Sequence, residues 1–158
     1  MKLWTWSDQQ TIRPIDEHNQ EQFDQLQSEV ELLDLNNLLG FEFYQELKRN
    51  TSEYEDLING GTYTYNDFEY TFNGLKYVCA FLLYARYIRQ SSIVDTSSGF
   101  VNHDIENTRR LSSADILNLE NRYKDIANNE WESCQHYLKS LEPVSQNLKN
   151  NSTNNWYV

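Results

Sequence analysis

Leu75-Lys76-Tyr77-Val78-Cys79-Ala80-Phe81-Leu82-Leu83-Tyr84-Ala85-Arg86-Tyr87-Ile88-Arg89-Gln90 decides the fold of this chain. No charge interrupts it from Tyr77 to Ala85, Gly74 introduces it, and Arg86 and Arg89 fall in what would be its last turn, where cations suit a helix terminus. Val78, Leu82 and Ala85 line one face of that helix, and Tyr77, Phe81, Tyr84 and Ile88 the opposite one. A helix apolar nearly all round has to be covered nearly all round, by the rest of the chain or by neighbouring molecules. The run is too short, and too soon charged, to span a bilayer.

Working outward, the spacing of Phe23, Leu26, Val30 and Leu33 predicts an amphipathic helix from Asn19 with an acidic outer face, broken at Asn36-Asn37. Gly40 turns a corner into a shorter helix, Glu42 to Arg49, that buries Phe43, Tyr44 and Leu47. Ser52 with Glu55 has the form of a capping box, opening a short helix to Ile58. Residues 62–72 are β-branched and aromatic around Asn66-Asp67, the pattern of a β-hairpin, and two strands alone need a helix or another subunit to lie on. Ser91 to Asp104 reads as a loop or a pair of short strands. The longest helix opens at Ser112, capped with Asp115, and carries a stripe from Ile116 through Leu119, Tyr123, Trp131, Cys134, Leu138 and Leu141 before Pro143 stops it.

The expected fold is therefore mainly α. It is a helical bundle around a central aromatic helix, with an inserted β-hairpin and extended N- and C-terminal arms: 1–18 and 143–158 as arms, 19–142 as the domain. Pro14 among polar residues favours an extended first arm, although Trp4 and Trp6 need somewhere to be buried.

With 158 residues the chain is long enough for one domain with a modest core. Hydrophobic residues make up 39% and aromatic ones 14%, among them 11 tyrosines, a composition suited to surfaces that are wet at one time and covered at another. The formal net charge of -11 argues against a nucleic-acid backbone as direct ligand, since phosphate binding needs basic clusters. It suits a channel wall past which DNA slides without sticking. Cys79 and Cys134 lack Cys-x-x-Cys spacing and read as buried apolar residues in a reducing compartment.

Catalytic patterns are missing. His18, His103 and His136 each stand alone, the last on the polar side of its helix, and no metalloprotease, phosphate-loop, serine-hydrolase or EF-hand motif occurs. Carboxylate pairs such as Glu29 with Asp34 are expected by chance in so acidic a chain and read as solvated faces. No enzyme, cofactor or metal is expected. The aromatic and basic residues left over are candidates for partner binding: Trp4 and Trp6 at the start, Tyr63, Tyr65, Phe68 and Tyr70 on the hairpin, and Phe100 in the following loop. To these are added Arg109 and Arg110, and Trp156, Tyr157 and Val158 of an Asn- and Ser-rich tail whose low complexity predicts disorder in the free monomer, with a tethered docking peptide as the alternative reading.

The order of elements, with Leu38-Leu39-Gly40-Phe41-Glu42-Phe43-Tyr44, Asn73-Gly74-Leu75-Lys76-Tyr77 leading to Ala85-Arg86-Tyr87, and Gly99-Phe100-Val101, resembles the head-tail connector (adaptor) proteins of tailed bacteriophages. It resembles the version found in phages of Bacteroides-type hosts, including the crAss-like group, over residues 20–142. The resemblance implies a helical bundle with a hairpin, assembled as a homo-oligomeric, dodecameric ring in the virion neck. Such a ring binds the portal protein and another neck or tail protein, and DNA passes through it without specific binding or a membrane. The host cytoplasm would be its location during assembly. Two other classes stay open: a small soluble phage-encoded regulatory or host-directed binding module using the same aromatic surface and, more distantly, an enzyme.

Overall fold

The computed structural model describes residues 2–16, 20–91, 93–96, 99–102 and 112–141. The chain is mainly helical with an inserted antiparallel hairpin, the fold class its periodicities predict. Its elements in order are α1 (Trp6–Ile12), α2 (Gln20–Glu29), a π-helical turn (Val30–Leu35), α3 (Asn36–Leu39), α4 (Phe41–Arg49), a 3₁₀ turn (Thr51–Tyr54) and α5 (Glu55–Asn59). Then follow β1 (Gly61–Tyr65), β2 (Phe68–Phe72), α6 (Leu75–Ser91), β3 (Ile93–Thr96), β4 (Gly99–Asn102) and α7 (Ser113–Leu141).

Helix α6 is the core element. Leu75, Val78, Cys79, Ala80, Leu83 and Ala85 are fully buried, and Phe81 and Leu82 nearly so. Its cover comes from this same chain, chiefly α7, which lies along it, with α1, α2 and α5 on the remaining sides. The opposite faces read from the sequence are thus both real, and Tyr77 and Tyr84 sit half-buried at their edges. Helix α7 starts on the expected cap: Ser112 N donates to Asp115 Oδ2 (3.0 Å) while Asp115 N donates to Ser112 Oγ (3.1 Å). Its buried residues are Glu120, Ala127, Trp131, Cys134 and Tyr137; of the expected stripe Leu138 is half-buried against the core, while Leu141 is exposed.

The first segment is not an extended arm. Thr5 and Asp8 form a reciprocal capping box that opens α1, and Trp4 is wholly buried, its indole Nε1 donating to Gln9 Oε1 (3.4 Å) and its carbonyl accepting from Gln27 Nε2 (2.5 Å). Arg13 then lies over the rings of Tyr84 (4.2 Å) and Tyr123 (4.9 Å), tying the segment to α6 and α7. Pro14 sits just after the helix, where it does no harm to it.

Two other expectations are corrected. The helix from residue 20 does not break at Asn36-Asn37. It continues to Leu39 through the π turn, whose i→i+5 bonding stacks Val30 over Leu35, both fully buried, and turns Leu33 outward. Ser52 does not cap a helix; residues 51–54 wind as a 3₁₀ turn in which the Thr51 hydroxyl donates back to the Leu47 carbonyl (3.1 Å).

The hairpin register pairs Gly61 with Phe72, Tyr63 with Tyr70 and Tyr65 with Phe68. Asn66 (φ 51°) and Asp67 (φ 65°) both take the left-handed backbone of a tight primed turn, which matches the strand twist. At the base the chain crosses itself. A Cβ on Gly60 would lie 2.4 Å from the Asn73 carbonyl carbon, and one on Gly74 would lie 2.3 Å from the Gly60 nitrogen, so both positions require glycine. The second pair of strands, β3 with β4, realises the short strands read between 91 and 104.

Candidate functional site

The hairpin register sorts its side chains cleanly. Period-two alternation puts Tyr63, Tyr65, Phe68, Tyr70 and Phe72 on one face and Thr62, Thr64, Glu69 and Thr71 on the other. The aromatic face meets the last turns of α7. Phe72 stacks on Tyr137 (4.6 Å between centroids), Tyr63 meets Tyr137 edge-on (5.3 Å), and His136 lies among Tyr63, Tyr65 and Tyr70 at 5.8, 5.3 and 4.7 Å. The Tyr63 hydroxyl and His136 Nδ1 are hydrogen-bonded partners. His136 therefore belongs to an aromatic seat and not to the polar side of its helix. At the hairpin base the Glu130 carboxylate accepts from Asn73 N (2.6 Å) and Asn73 Nδ2 (2.9 Å), which fixes the angle at which the ribbon leaves the bundle.

This anchoring is incomplete at the tip. Phe68 is 68% exposed and Tyr70 37%, although both belong to the face that packs on α7. α7 leaves part of the aromatic face uncovered. Burial pushes the Tyr63 phenol up, and the neighbouring Tyr70 adds to the effect. The surface is one of rings and neutral hydroxyls, fit for packing against protein and offering no activated nucleophile.

Of the other predicted contact residues, Trp4 is buried in the core and closed to a partner, and Trp6 is half-buried against Phe23 (5.3 Å). The physical reason is the Thr5 capping box, which folds the two indoles back onto α2. Phe100 stands in β4 opposite Asp95. Arg109, Arg110, Trp156, Tyr157 and Val158 lie outside the described residues.

Two grooves among the described residues lie elsewhere. A groove of about 400 Å³ runs between Lys2, Leu3, Thr5, Asp8, Ser52, Ile58 and Lys76, and beside it a second, of about 520 Å³, is bordered by Asp8, Ile12, Gly60, Asn73, Lys76 and Tyr77. Lys76 and Asp8, 3.2 Å apart, form a salt bridge on the wall common to both. Burial raises the Asp8 carboxyl, but the Thr5 hydroxyl and backbone N–H, together with Lys76, more than offset it and hold it below the usual carboxylate range. In the first groove the Thr5 hydroxyl donates to the Asp8 carboxylate (2.7 Å), but that carboxylate, held below its usual range, is a weak base and already serves the capping box of α1. Burial drives the Cys79 thiol well above its ordinary value and the Cys134 thiol to about 12, so neither is a thiolate at neutral pH. Among the described residues no three His, Cys, Asp or Glu side chains gather as a metal site, and no helix is long and apolar enough to cross a membrane.

Residues 35–155 match the family model of DUF6712, a family of unknown function. This chain belongs to that family. The DUF6712 region takes in the hairpin, α6 and α7, and so the whole aromatic seat. No curated protein and no solved structure matches the chain.

Sequence reasoning missed three features: the Arg13 wedge, the ion pairs of Arg86 with Glu29 and Asp34, and the exposed Leu32, Leu33 and Phe41. The last had a visible signal. Val30, Leu32, Leu33 and Leu35 are four apolar residues in six, and no single helical face holds all of them.

Proposed function

We propose that this protein is a structural subunit of a tailed-bacteriophage virion, a head-tail connector or adaptor that assembles as a ring between portal and tail and extends the DNA channel. One observation carries the reading: a rigidly anchored hairpin whose aromatic face is only partly covered by its own helix and holds Phe68 out in solvent. A monomer leaves such a surface unsatisfied, and a heterologous contact with the next copy covers it while closing a ring. The order of helices, corner and hairpin, which resembles connector proteins, supplies the family of assemblies to which such a contact would belong. The net charge of -11 agrees with a channel that carries DNA without retaining it. The subunit acts by shape, without a cofactor, and its partners are its own copies, the portal protein and another neck or tail protein.

Native mass spectrometry of the full chain, alone and mixed with its portal protein, tests the reading. A closed multiple of the 18.8 kDa chain in either sample is the expected result. A monomer or dimer in both would replace the ring with a small soluble binding module.

A further inference from the structure

The hairpin is a two-stranded ribbon with both outer edges open. Its tight turn is closed by Tyr65 and Phe68, so the pairs Tyr65 with Phe68, Tyr63 with Tyr70 and Gly61 with Phe72 turn their backbone N–H and C=O groups inward, toward each other. Thr62 and Thr64 on β1, and Glu69 and Thr71 on β2, turn theirs outward, and all four residues are exposed. Among the described residues no third strand joins the ribbon, and no backbone hydrogen bond from outside it reaches these groups. Proline, lysine and bulges, the usual means of blunting such an edge, are missing from both strands: β1 carries no charge, and the five register pairs run without interruption.

Exposure and symmetry together define what fits there. Both exposed rings of the aromatic face, Phe68 and Tyr70, belong to β2, whereas Tyr63 and Tyr65 of β1 are half-buried. What β2 lacks is a strand on its outer side. In copies related by rotation about one axis, neighbouring hairpins keep the same direction along that axis, so the strand offered to β2 is β1 of the adjacent copy, running antiparallel to it. At equal height Glu69 then faces Thr64 of that copy and Thr71 faces its Thr62, so that each outward group finds a partner, while its Tyr65 and Tyr63 come beside Phe68 and Tyr70. The neutral β1 also receives Glu69 more readily than a second β2, which would bring two such carboxylates together. We propose that the free edge of β2 pairs with the free edge of β1 in the adjacent copy, joining the hairpins of the ring into one continuous antiparallel sheet. This pairing rests on the ring reading and supplies the bonding of its contact.

Thr64→Pro removes one outward N–H and leaves the inner ladder intact, a change that edge strands tolerate. In native mass spectrometry of the full chain, with portal protein present if the parent needs it, the variant should require at least about tenfold more protein than the parent to assemble. Cysteine pairing reads the same contact without proline. Chains carrying Glu69→Cys, mixed with chains carrying Thr64→Cys, should form a disulfide-linked dimer on mild oxidation, because hydrogen-bonded antiparallel partners lie about 5.5 Å apart at Cα, within the span of a disulfide. Cys79 and Cys134 are buried and do not compete. Either variant by itself should stay unlinked. A dimer formed by Glu69→Cys alone or by Thr64→Cys alone would put like edges together and overturn the proposal. So would a mixture that stays unlinked, or a Thr64→Pro chain that assembles as the parent does; in both cases the ring itself stands. A parent that stays monomeric with and without portal protein would remove the ring and the pairing together.

Discussion

Arg86 grips Asp34 with a two-pronged hydrogen bond, Nε to Oδ2 and Nη2 to Oδ1, and the Asp34 contact is the foremost cause that raises the guanidinium above its ordinary value. Planar fork meets planar carboxylate, the geometry in which arginine is strongest. The consequence is architectural: the C-terminal half of the central helix is fastened to the one irregular turn of the helix beside it. All three side chains, Arg86, Glu29 and Asp34, are only about a quarter exposed, so the pairing sits between a surface bridge and a buried one.

Replacing Arg86 by Leu leaves Glu29 and Asp34 facing each other without a cation. Stability should fall by about 2 kcal/mol, measured by urea unfolding at neutral pH. Arg86→Lys should recover less than half of that, because an ammonium cannot serve both Asp34 oxygens in the plane and reach Glu29 as well. A lysine variant as stable as the parent would show that charge alone, and not the fork, holds the turn.

Three glycines share a positive φ but differ in surroundings, which makes them a controlled comparison. Gly40 (φ 78°, ψ 149°) has nothing within 4 Å of the point where a Cβ would stand, so Gly40→Ala should cost only the backbone strain of that glycine-favouring region, about 1 to 3 kcal/mol. Gly60 and Gly74 each place that point under 2.5 Å from backbone at the hairpin base, and alanine at either should cost more than about 3 kcal/mol by forcing the crossing apart. Thermal unfolding of the three variants ranks them. Equal losses at Gly40 and Gly60 would mean that the crossing yields cheaply.

The parts legible in the sequence are those where one local rule acts alone. The Ser112 cap, the Asn66-Asp67 turn and the apolar run of α6 each declare themselves within a few residues. The Ser52 box has the same form as the Ser112 box, yet residues 51–54 wind as a 3₁₀ turn and the Thr51 hydroxyl takes up the Leu47 carbonyl instead. Where partners are distant, pattern fails. Arg13 needs Tyr84 and Tyr123 to explain it, and His136 becomes intelligible only once Tyr63 and Tyr70 are brought over α7. The π turn escapes pattern reading because a 3.6-residue period fits Phe23, Leu26, Val30 and Leu33 well, and only the buried Leu35 reveals the slip. For the candidate site, alternation alone places the hairpin aromatics on one face, but which of them remains open depends on how the ribbon packs against α7, a tertiary fact.

The capping box at α1 has a pH signature. The Asp8 carboxyl lies below its reference value of 3.8 in the folded chain, so the folded state binds the proton less readily than the unfolded one. Its contribution is fully present above that reference value and disappears as pH falls through the lower, folded value. Thermal midpoints taken from about pH 6 down to about pH 2 should fall more steeply for the parent than for Asp8→Asn, and the two curves should converge at the acid end. At the upper end of that range the substitution should cost about 1 kcal/mol. Parallel curves would mean that neither Thr5 nor Lys76 interacts with the charge.

Trp4 and Phe68 are both candidate contact residues by sequence, and their opposite burial turns them into a test of the ring. Trp4 is fully buried, so Trp4→Ala should remove about 3 to 5 kcal/mol from the isolated subunit through the cavity it leaves against Phe23 and Gln9. Phe68 is mostly in water, so Phe68→Ala should change subunit stability by less than about 0.5 kcal/mol. If the exposed part of the aromatic face is what the next copy covers, that same Phe68 variant should shift the native mass toward the monomer at a concentration where the parent is assembled. Denaturant unfolding and native mass spectrometry on the same two samples separate the effects. A Phe68 variant that assembles as the parent does would remove the hairpin from the ring contact, whatever the assembly itself proves to be.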